Sequence, residues 1–293
     1  MSTIMTYRSY AKLNLYLDVL NKRRDGFHNI ETIFQTVSLA DDITFEDQPN
    51  LITITCSSTE LDTGEGNLVH RAAILLREHT GCKMGARIHL EKRIPIAAGL
   101  AGGSGNAAAT LIALNKFWDL RLSDEHIRDL ALKLGSDVPY CTIGGAAAAT
   151  HRGEELIPLP PITPVWFVLV HPPIAVSAGH AYNHPLLEHS PQTPFAGRTP
   201  AFRKAIRTLA AGDIPCIIFN RMEQPVFHDY PQLAEIKQRL LELGCSAAAM
   251  SGSGPTIFGV CSERRIAARI AETLPEYRTS VVSPVPVGVE RIA

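Results

Sequence analysis

The sequence predicts an α+β protein in two domains, a β-rich first half (residues 1–160) and an α/β sandwich in the second (residues 161–293). Three observations carry this. The chain opens on segments in which apolar and polar side chains alternate, the period of half-buried strands. A glycine-rich loop, Ala97–Gly105, then runs into a stretch rich in Ala and Leu, a helical composition. Prolines thicken between Pro158 and Pro173, which marks a connection between domains. At ~100–200 residues per domain, a length of 293 also favours two.

Each element follows from local pattern. In Ala11–Leu20 the side chains of Leu13, Leu15 and Leu17 share one strand face, and the turn-prone Asn21–Gly26 reverses the chain. Ile30–Leu39, Asp42–Phe45 and Leu51–Thr55 read as further, separate strands. This is not the βαβαβ order of a doubly wound sheet. From Asn67 to Thr80, residues Leu68, Ala72, Leu75 and Leu76 recur at helical spacing. Arg87–Leu90 is a short strand, Ala107–Leu120 a helix, and Ser123 the N-cap of a helix that reaches Leu134. Gly144–Thr150 and Val165–Val170 are strands. Beyond the prolines, Ala201–Ala211 and Pro231–Leu243 are helical, while Cys245–Met250, Thr256–Val260 and Ser280–Val287 are strands.

Composition narrows the partners. A formal charge of −1 provides no basic field for nucleic acid or an anionic membrane, so an anionic small molecule must be held by local features. The apolar run Val165–Val170 is too short to span a bilayer, and Met1–Tyr16 lacks a signal-peptide pattern. Six scattered cysteines without a C-x-x-C pair fit free thiols in a reducing cytoplasm, so the expected location is cytoplasmic. His180, His184 and His189 stand at metal-like spacing, but the sequence offers them no clear carboxylate or cysteine partner. They read as surface histidines, and no protein-bound metal site is assigned.

The segment Ile94–Thr110 reads IPIAAGLAGGSGNAAAT. Its glycines, Gly99, Gly102, Gly103 and Gly105, allow a ligand to approach the backbone, and a helix opening at Asn106 or Ala107 presents free N–H groups and a positive dipole end. A phosphate chain suits such a site. A plain structural turn would have the same composition. Gly103, Gly105 and Ala108 also fit the dinucleotide pattern G-x-G-x-x-A, but that motif follows a central strand, where Pro95 is a poor resident. No Lys-Ser/Thr pair follows the glycines, so the loop is not a Walker A motif.

Three separated segments are more specific together: Ala11-Lys12-Leu13-Asn14, the P-x-x-x-G-L-x-x-G-S run from Pro95 to Ser104, and a second glycine loop, Met250–Gly259 (MSGSGPTIFG). This constellation resembles the GHMP small-molecule kinases. Tyr10–Leu15, Arg24–His28 (RDGFH), Glu31–Gln35 (ETIFQ), Leu134–Pro139 (LGSDVP), Gly144-Gly145 and Arg152–Glu154 are similar to one branch of that family. The resemblance runs in register from about Tyr10 to Gly259 and is weakest across Leu186–Pro215. It implies the two-domain GHMP kinase fold, with a nucleotide-binding N-terminal domain. It also implies phosphoryl transfer from ATP to the 2-hydroxyl of 4-diphosphocytidyl-2-C-methyl-D-erythritol, a step of the non-mevalonate isoprenoid route.

The resemblance assigns roles residue by residue. Asp137 is the catalytic aspartate, since a hydroxyl nucleophile needs an acceptor for its proton. Lys12 is the catalytic lysine, orienting the hydroxyl or softening charge on the transferring group. The ATP is held by Pro95, Ala97, Ala98, Gly99, Leu100, Ala101, Gly102, Gly103, Ser104 and Gly105, with Asn67 and Lys92 near the adenosine. Mg²⁺ rides on the ATP phosphates with few protein ligands, Ser104 being close by. Phe27 and Tyr182 sandwich the cytosine, His28 bonds its edge, and Asn14 touches the erythritol or phosphate portion. Gly252, Ser253 and Gly254 close the far side. Two positions depart from the pattern: Gly105 stands where a second serine is frequent, and Ala101 where some members have glycine.

The alternatives each meet an obstacle. Another kinase of the superfamily would not need Asp25–His28 and Tyr182. An oxidoreductase built on Gly103-x-Gly105 is disfavoured by the β-rich opening, and a non-catalytic binding protein by the presence of both Lys12 and Asp137.

Overall fold

The computed structural model describes residues 4–190 and 198–293. Strands β1 (Ile4–Lys22) and β2 (His28–Gln48) form one long antiparallel hairpin, closed where Arg23 N donates to Phe27 O at 2.7 Å. The separate strands expected within residues 30–45 are thus a single one. Tyr10 pairs with Ala40 but Ala11 with Val37, so Ser38 and Leu39 bulge out and re-aim β2 without ending it.

Strand β3 (Ile52–Cys56), helix α1 (Leu68–Thr80) and strand β4 (Gly85–Glu91) follow. Asn67 caps α1, its Oδ1 accepting from Val69 N at 2.9 Å. The glycine loop leads into α2 (Gly102–Phe117), then α3 (Asp124–Leu134), α4 (Val138–Ile143), β5 (Ala146–Thr150) and β6 (Glu155–Pro158). Ser123 caps α3 as expected, accepting from His126 N. Helix α2 starts well before Asn106. The chain turns at Ala101, in the left-handed region with φ 55°, so the later glycines fall inside the first helical turn.

After the prolines come β7 (Trp166–His171), α5 (Ala178–Asn183), α6 (Pro200–Ala210), β8 (Phe219–Asn220), α7 (Glu223–Asp229), α8 (Pro231–Glu242), β9 (Ala247–Met250), β10 (Ile257–Cys261), α9 (Arg264–Glu272), β11 (Arg278–Val282) and β12 (Val289–Arg291). Periodicity overlooked the short α4, α5 and α7, whose one or two turns are too brief to show a face, and also the nine-residue α9.

Two sheets result. The first runs β12-β1-β2-β4-β3, with β5 and β6 along the other end of β2 and β8 beside β1. The second is antiparallel, in the order β11-β7-β10-β9. Short strands from the second half, β8 and β12, therefore complete the sheet of the first. The apolar faces explain the stacking. Helices α1 to α4 bury Ala72, Leu76, Leu111, Leu130 and Val138 with Ile43, Phe45 and Ile88 of the first sheet. Leu13, Leu15 and Ile33 meet Phe167, Leu169 and Phe258 between the sheets. Val168, Val170 and Ile257 cover the remaining face with Leu233, Ile236 and Ala267. No helix among the described residues is long and apolar enough to cross a membrane.

Candidate active site

Alternation along β1 creates the centre of the site. Leu13 and Leu15 enter the core between the sheets, which turns Lys12 and Asn14 to the opposite face. Both polar side chains are nonetheless buried. A desolvated ammonium needs partners. Lys12 Nζ donates to Asn14 Oδ1 at 2.5 Å, lies 3.6 Å from Asp137 Oδ2 and sits 5.3 Å from the Phe34 ring centroid. Asn14 is held in turn, its Nδ2 donating to Thr32 Oγ1 at 2.8 Å. Asp137 occupies the N-cap position of α4 without spending its carboxylate on the cap, so the group remains open to the cavity.

That cavity, of about 480 Å³, is lined by Lys12, Asn14, Phe27, His28, Asp137, Arg152, Tyr182, Gly252 and Ser253 among others. A second, of about 470 Å³, is lined by Leu61, Asp62, Asn67, Leu68, Lys92, Ile96 and the glycine loop. Gly99, Ala101 and Ser104 line both. The loop is the shared wall.

Its shape depends on close approach. Gly99 has φ +74°, and a Cβ there would collide with the Ser251 carbonyl. Ser251 Oγ donates to Gly99 O at 3.0 Å, and Lys12 N donates to Leu100 O at 3.0 Å, so the two glycine loops and β1 interlock. Gly252 packs where a Cβ would stand 3.5 Å from Lys12 Nζ. Asn220 Nδ2 anchors the second loop, donating to Met250 O and Gly252 O at 2.7 and 2.8 Å. The first helical bond of α2 is donated by Gly105 N to Ala101 O. The N–H groups of Gly102, Gly103 and Ser104 precede it, at a dipole end lining the second cavity.

The expected residues divide. Pro95, Ala97, Ala98, Gly99, Ala101, Gly102, Gly103 and Ser104 line the second cavity together with Asn67 and Lys92. Leu100 does not: its side chain is in the core between the sheets. Gly105 does not either, since a side chain there would point at Ser9 and Tyr10 of β1. Gly254 lies behind the second loop against Met250. Lys92 reaches the second cavity with its charge already paired to the fully buried Asp41. Asn67 spends its side chain on α1 and on Asp62 O.

In the first cavity the aromatic residues gather with a difference. The His28 ring is stacked between Tyr182, at 5.2 Å, and His189, at 5.5 Å. Burial, then the nearby His189 and Lys22, holds His28 below the ordinary histidine range. Phe27 is half exposed, with the Arg152 guanidinium 5.0 Å from its centroid. Burial and then the charge of Asp137 push the Tyr182 phenol up, consistent with its lining the same cavity as that carboxylate. The expectation that no carboxylate partners the histidines of this region is corrected. Asp229 Oδ2 lies 2.8 Å from His180 Nε2, and Oδ1 3.4 Å from His184 Nε2. Asp229 is 45 residues beyond His184, so only the fold brings them together.

Sequence reasoning missed Asp41, whose carboxylate accepts from Arg93 N and Ile94 N at 2.7 and 2.9 Å and from Asn106 Nδ2 at 3.0 Å. It fastens the start of the glycine loop to β2. Nothing local set Asp41 apart, because β2 also carries Glu31, Asp42, Glu46 and Asp47.

Residues 67–145 match the GHMP kinases N terminal domain, and residues 195–278 match the GHMP kinases C terminal domain. A 4-diphosphocytidyl-2-C-methyl-D-erythritol kinase of Moorella thermoacetica is 43% identical over 281 residues, which cover 93% of this chain and 97% of the relative. The chain belongs to the GHMP kinase family. Within that family it is a member of the 4-diphosphocytidyl-2-C-methyl-D-erythritol kinase group. A crystal structure of 4-(cytidine 5'-diphospho)-2C-methyl-D-erythritol kinase superposes with a TM-score of 0.78 at 34% identity, covering 97% of this chain and 99% of that one. A homoserine kinase from Cytophaga hutchinsonii shares the fold, with a TM-score of 0.75 at 18% identity over 99% and 97% of the two chains. The GHMP kinase fold thus has its β-rich N-terminal and α/β C-terminal parts here, with Lys12 and Asp137 in one cavity and the glycine loop dividing it from the next.

Proposed function

We propose that this chain transfers the γ-phosphoryl group of ATP to the 2-hydroxyl of 4-diphosphocytidyl-2-C-methyl-D-erythritol. The observation that carries the reading is the pair of cavities meeting at Gly99, Ala101 and Ser104, with the Lys12–Asp137 pair in one of them. Donor and acceptor then approach from opposite sides of one loop.

In the second cavity the adenine packs on Leu61, Leu68 and Ile96, and the phosphates follow the loop to the first-turn N–H groups of α2. In the first, Phe27 and Tyr182 stack on the cytosine and His28, kept neutral, bonds its edge. The acceptor hydroxyl is directed at Asp137, which takes its proton as the new O–P bond forms and the bond to the β-phosphate bridge breaks. Lys12 lies beside that carboxylate and stabilises negative charge on the transferring group. Asn14 orients Lys12, and Gly252 lets the second loop close over it.

Mg²⁺ supplies charge neutralisation on the phosphates when bound. Ser104 Oγ, a hard oxygen donor on the wall shared by the two cavities, would suit an ion that keeps most of its ligands from phosphate and water. Asp41 is excluded as a ligand, because Lys92, Asn106 and two backbone N–H groups already saturate it.

The test is ATP consumption with this acceptor, alongside homoserine and mevalonate, in wild type and Asp137→Asn. Turnover should be confined to the cytidylyl substrate, and kcat should fall in the variant by about 10²–10⁴-fold. Activity surviving in Asp137→Asn would remove that residue as the base, and turnover of homoserine or mevalonate would remove the acceptor assignment.

A further inference from the structure

Among the described residues, His180, His184 and Asp229 form a group whose ligand atoms all lie within 4.8 Å of one another. We propose that they bind a zinc ion, which clamps α5 to α7 on the outer wall of the cavity around Lys12 and Asp137.

The arrangement is built from both chain segments. His180 and His184 are four residues apart, across α5 and its C-cap, so their rings lie together, with centroids 5.4 Å apart. Asp229 closes α7 and directs its two carboxylate oxygens at the two Nε2 atoms, at 2.8 and 3.4 Å. Ligand atoms held by a tetrahedral ion at ~2.0–2.1 Å stand roughly 3.3 Å from one another, and the three ligand atoms already lie within 4.8 Å, so a small side-chain adjustment brings them to that spacing. His180 is largely exposed and free to make that adjustment. His228 Nδ1 lies 3.1 Å from Asp229 Oδ1, supplying the outer contact that orients a ligating carboxylate.

The donor chemistry excludes the hard cations. Two imidazole nitrogens and one carboxylate oxygen suit zinc, whereas magnesium and calcium take oxygen sets. Three protein ligands leave a fourth position for water. One local contact must change: Leu186 N donates to His184 Nδ1 at 3.1 Å, and ligation through Nε2 puts the proton on Nδ1. Leu186 lies in the exposed turn beyond α5, where such a contact is readily given up.

The position gives the ion a consequence. Ala178, Gly179, Tyr182 and Asn183 line the cavity, and the last two lie between the proposed ligands. Helix α5 has only six residues, so a link to α7 restrains a wall that its own hydrogen bonds hold weakly.

The experiment is calorimetric titration of the untagged, metal-stripped full chain with Zn²⁺ in nucleotide-free buffer, which does not depend on turnover. Wild type is compared with His180→Ala, Asp229→Asn and a distant exposed histidine control, His79→Ala. One equivalent should bind to wild type and to His79→Ala, with affinity lowered at least about tenfold in each of the other two. Added Zn²⁺ should raise the Tm of wild type and leave that of His180→Ala unchanged. Because His180 is exposed, circular dichroism should find that variant folded. No stoichiometric binding by wild type would overturn the proposal. So would undiminished binding by either His180→Ala or Asp229→Asn, or an equal Tm rise in His180→Ala.

Discussion

Gly99 and Gly105 differ by six positions in one loop and by their whole surroundings. Gly99 has a positive φ, and its missing Cβ makes room for the Ser251 carbonyl of the second glycine loop. Gly105 is helical, and a Cβ there would find Ser9 Oγ and Tyr10 O at 3.5 Å, an ordinary contact. Gly99→Ala should therefore part the loops and lower kcat/KM at least tenfold, since displacements of about 1 Å at a reacting centre cost on the order of 10²-fold. Gly105→Ser should leave kcat within about twofold, because its hydroxyl would face β1 and not the phosphates. Steady-state kinetics of the two variants check both outcomes, and a large loss in Gly105→Ser would return that position to the phosphate site. The sequence marked both glycines as loop residues. Which one touches a ligand was not legible, because that depends on where α2 begins.

At the scale of elements, β7 ends in His171, a buried imidazole between Thr256 Oγ1 and Ser280 Oγ, each at 3.2 Å. Burial, then the charge of Arg278, lowers its pKa to about 4. In the unfolded chain it titrates near 6.5. Below that pH the unfolded state takes up a proton that the folded state refuses, so stability present above pH 6.5 drains away as pH falls toward 4. The full loss is about 3 kcal/mol as an upper bound. Urea unfolding at pH 7 and pH 4.5 should show a smaller acid loss in His171→Gln than in wild type. Equal losses would sink the assignment. The strand itself was legible from its apolar run, but the neutral histidine was not: Thr256 and Ser280 reach it from β9–β10 and β11, far along the chain.

Over the whole molecule, the second half of the chain completes the sheet of the first. β12 pairs Val289, Glu290 and Arg291 with Ser9, Arg8 and Tyr7, and Ile292 N donates to Thr6 O at 2.9 Å. These bonds cover the edge of β1, the strand that carries Lys12. Deleting residues 289–293 should lower Tm by roughly 5–10 °C, the shift for a few net hydrogen bonds in a protein of this size. Differential scanning calorimetry reads the effect, and an unchanged Tm would mean that β1 needs no cover there. The division into a β-rich and an α/β part was legible, because alternation and proline density are local signals. The return of β8 and β12 to the first sheet was not, since three residues or fewer carry no readable period.

By itself the sequence determined the family, the polar face of β1, the glycine loop and the aspartate before α4. Each is a short motif or a periodicity, set by neighbours a few residues apart. Only the tertiary structure decided that Asp41 consumes the charge of Lys92, that His28 stacks between Tyr182 and His189, and that Asp229 meets His180 and His184. Those partners come from distant segments. Their meeting is fixed by how the apolar faces of two sheets and their helices pack, a constraint no single stretch of chain contains.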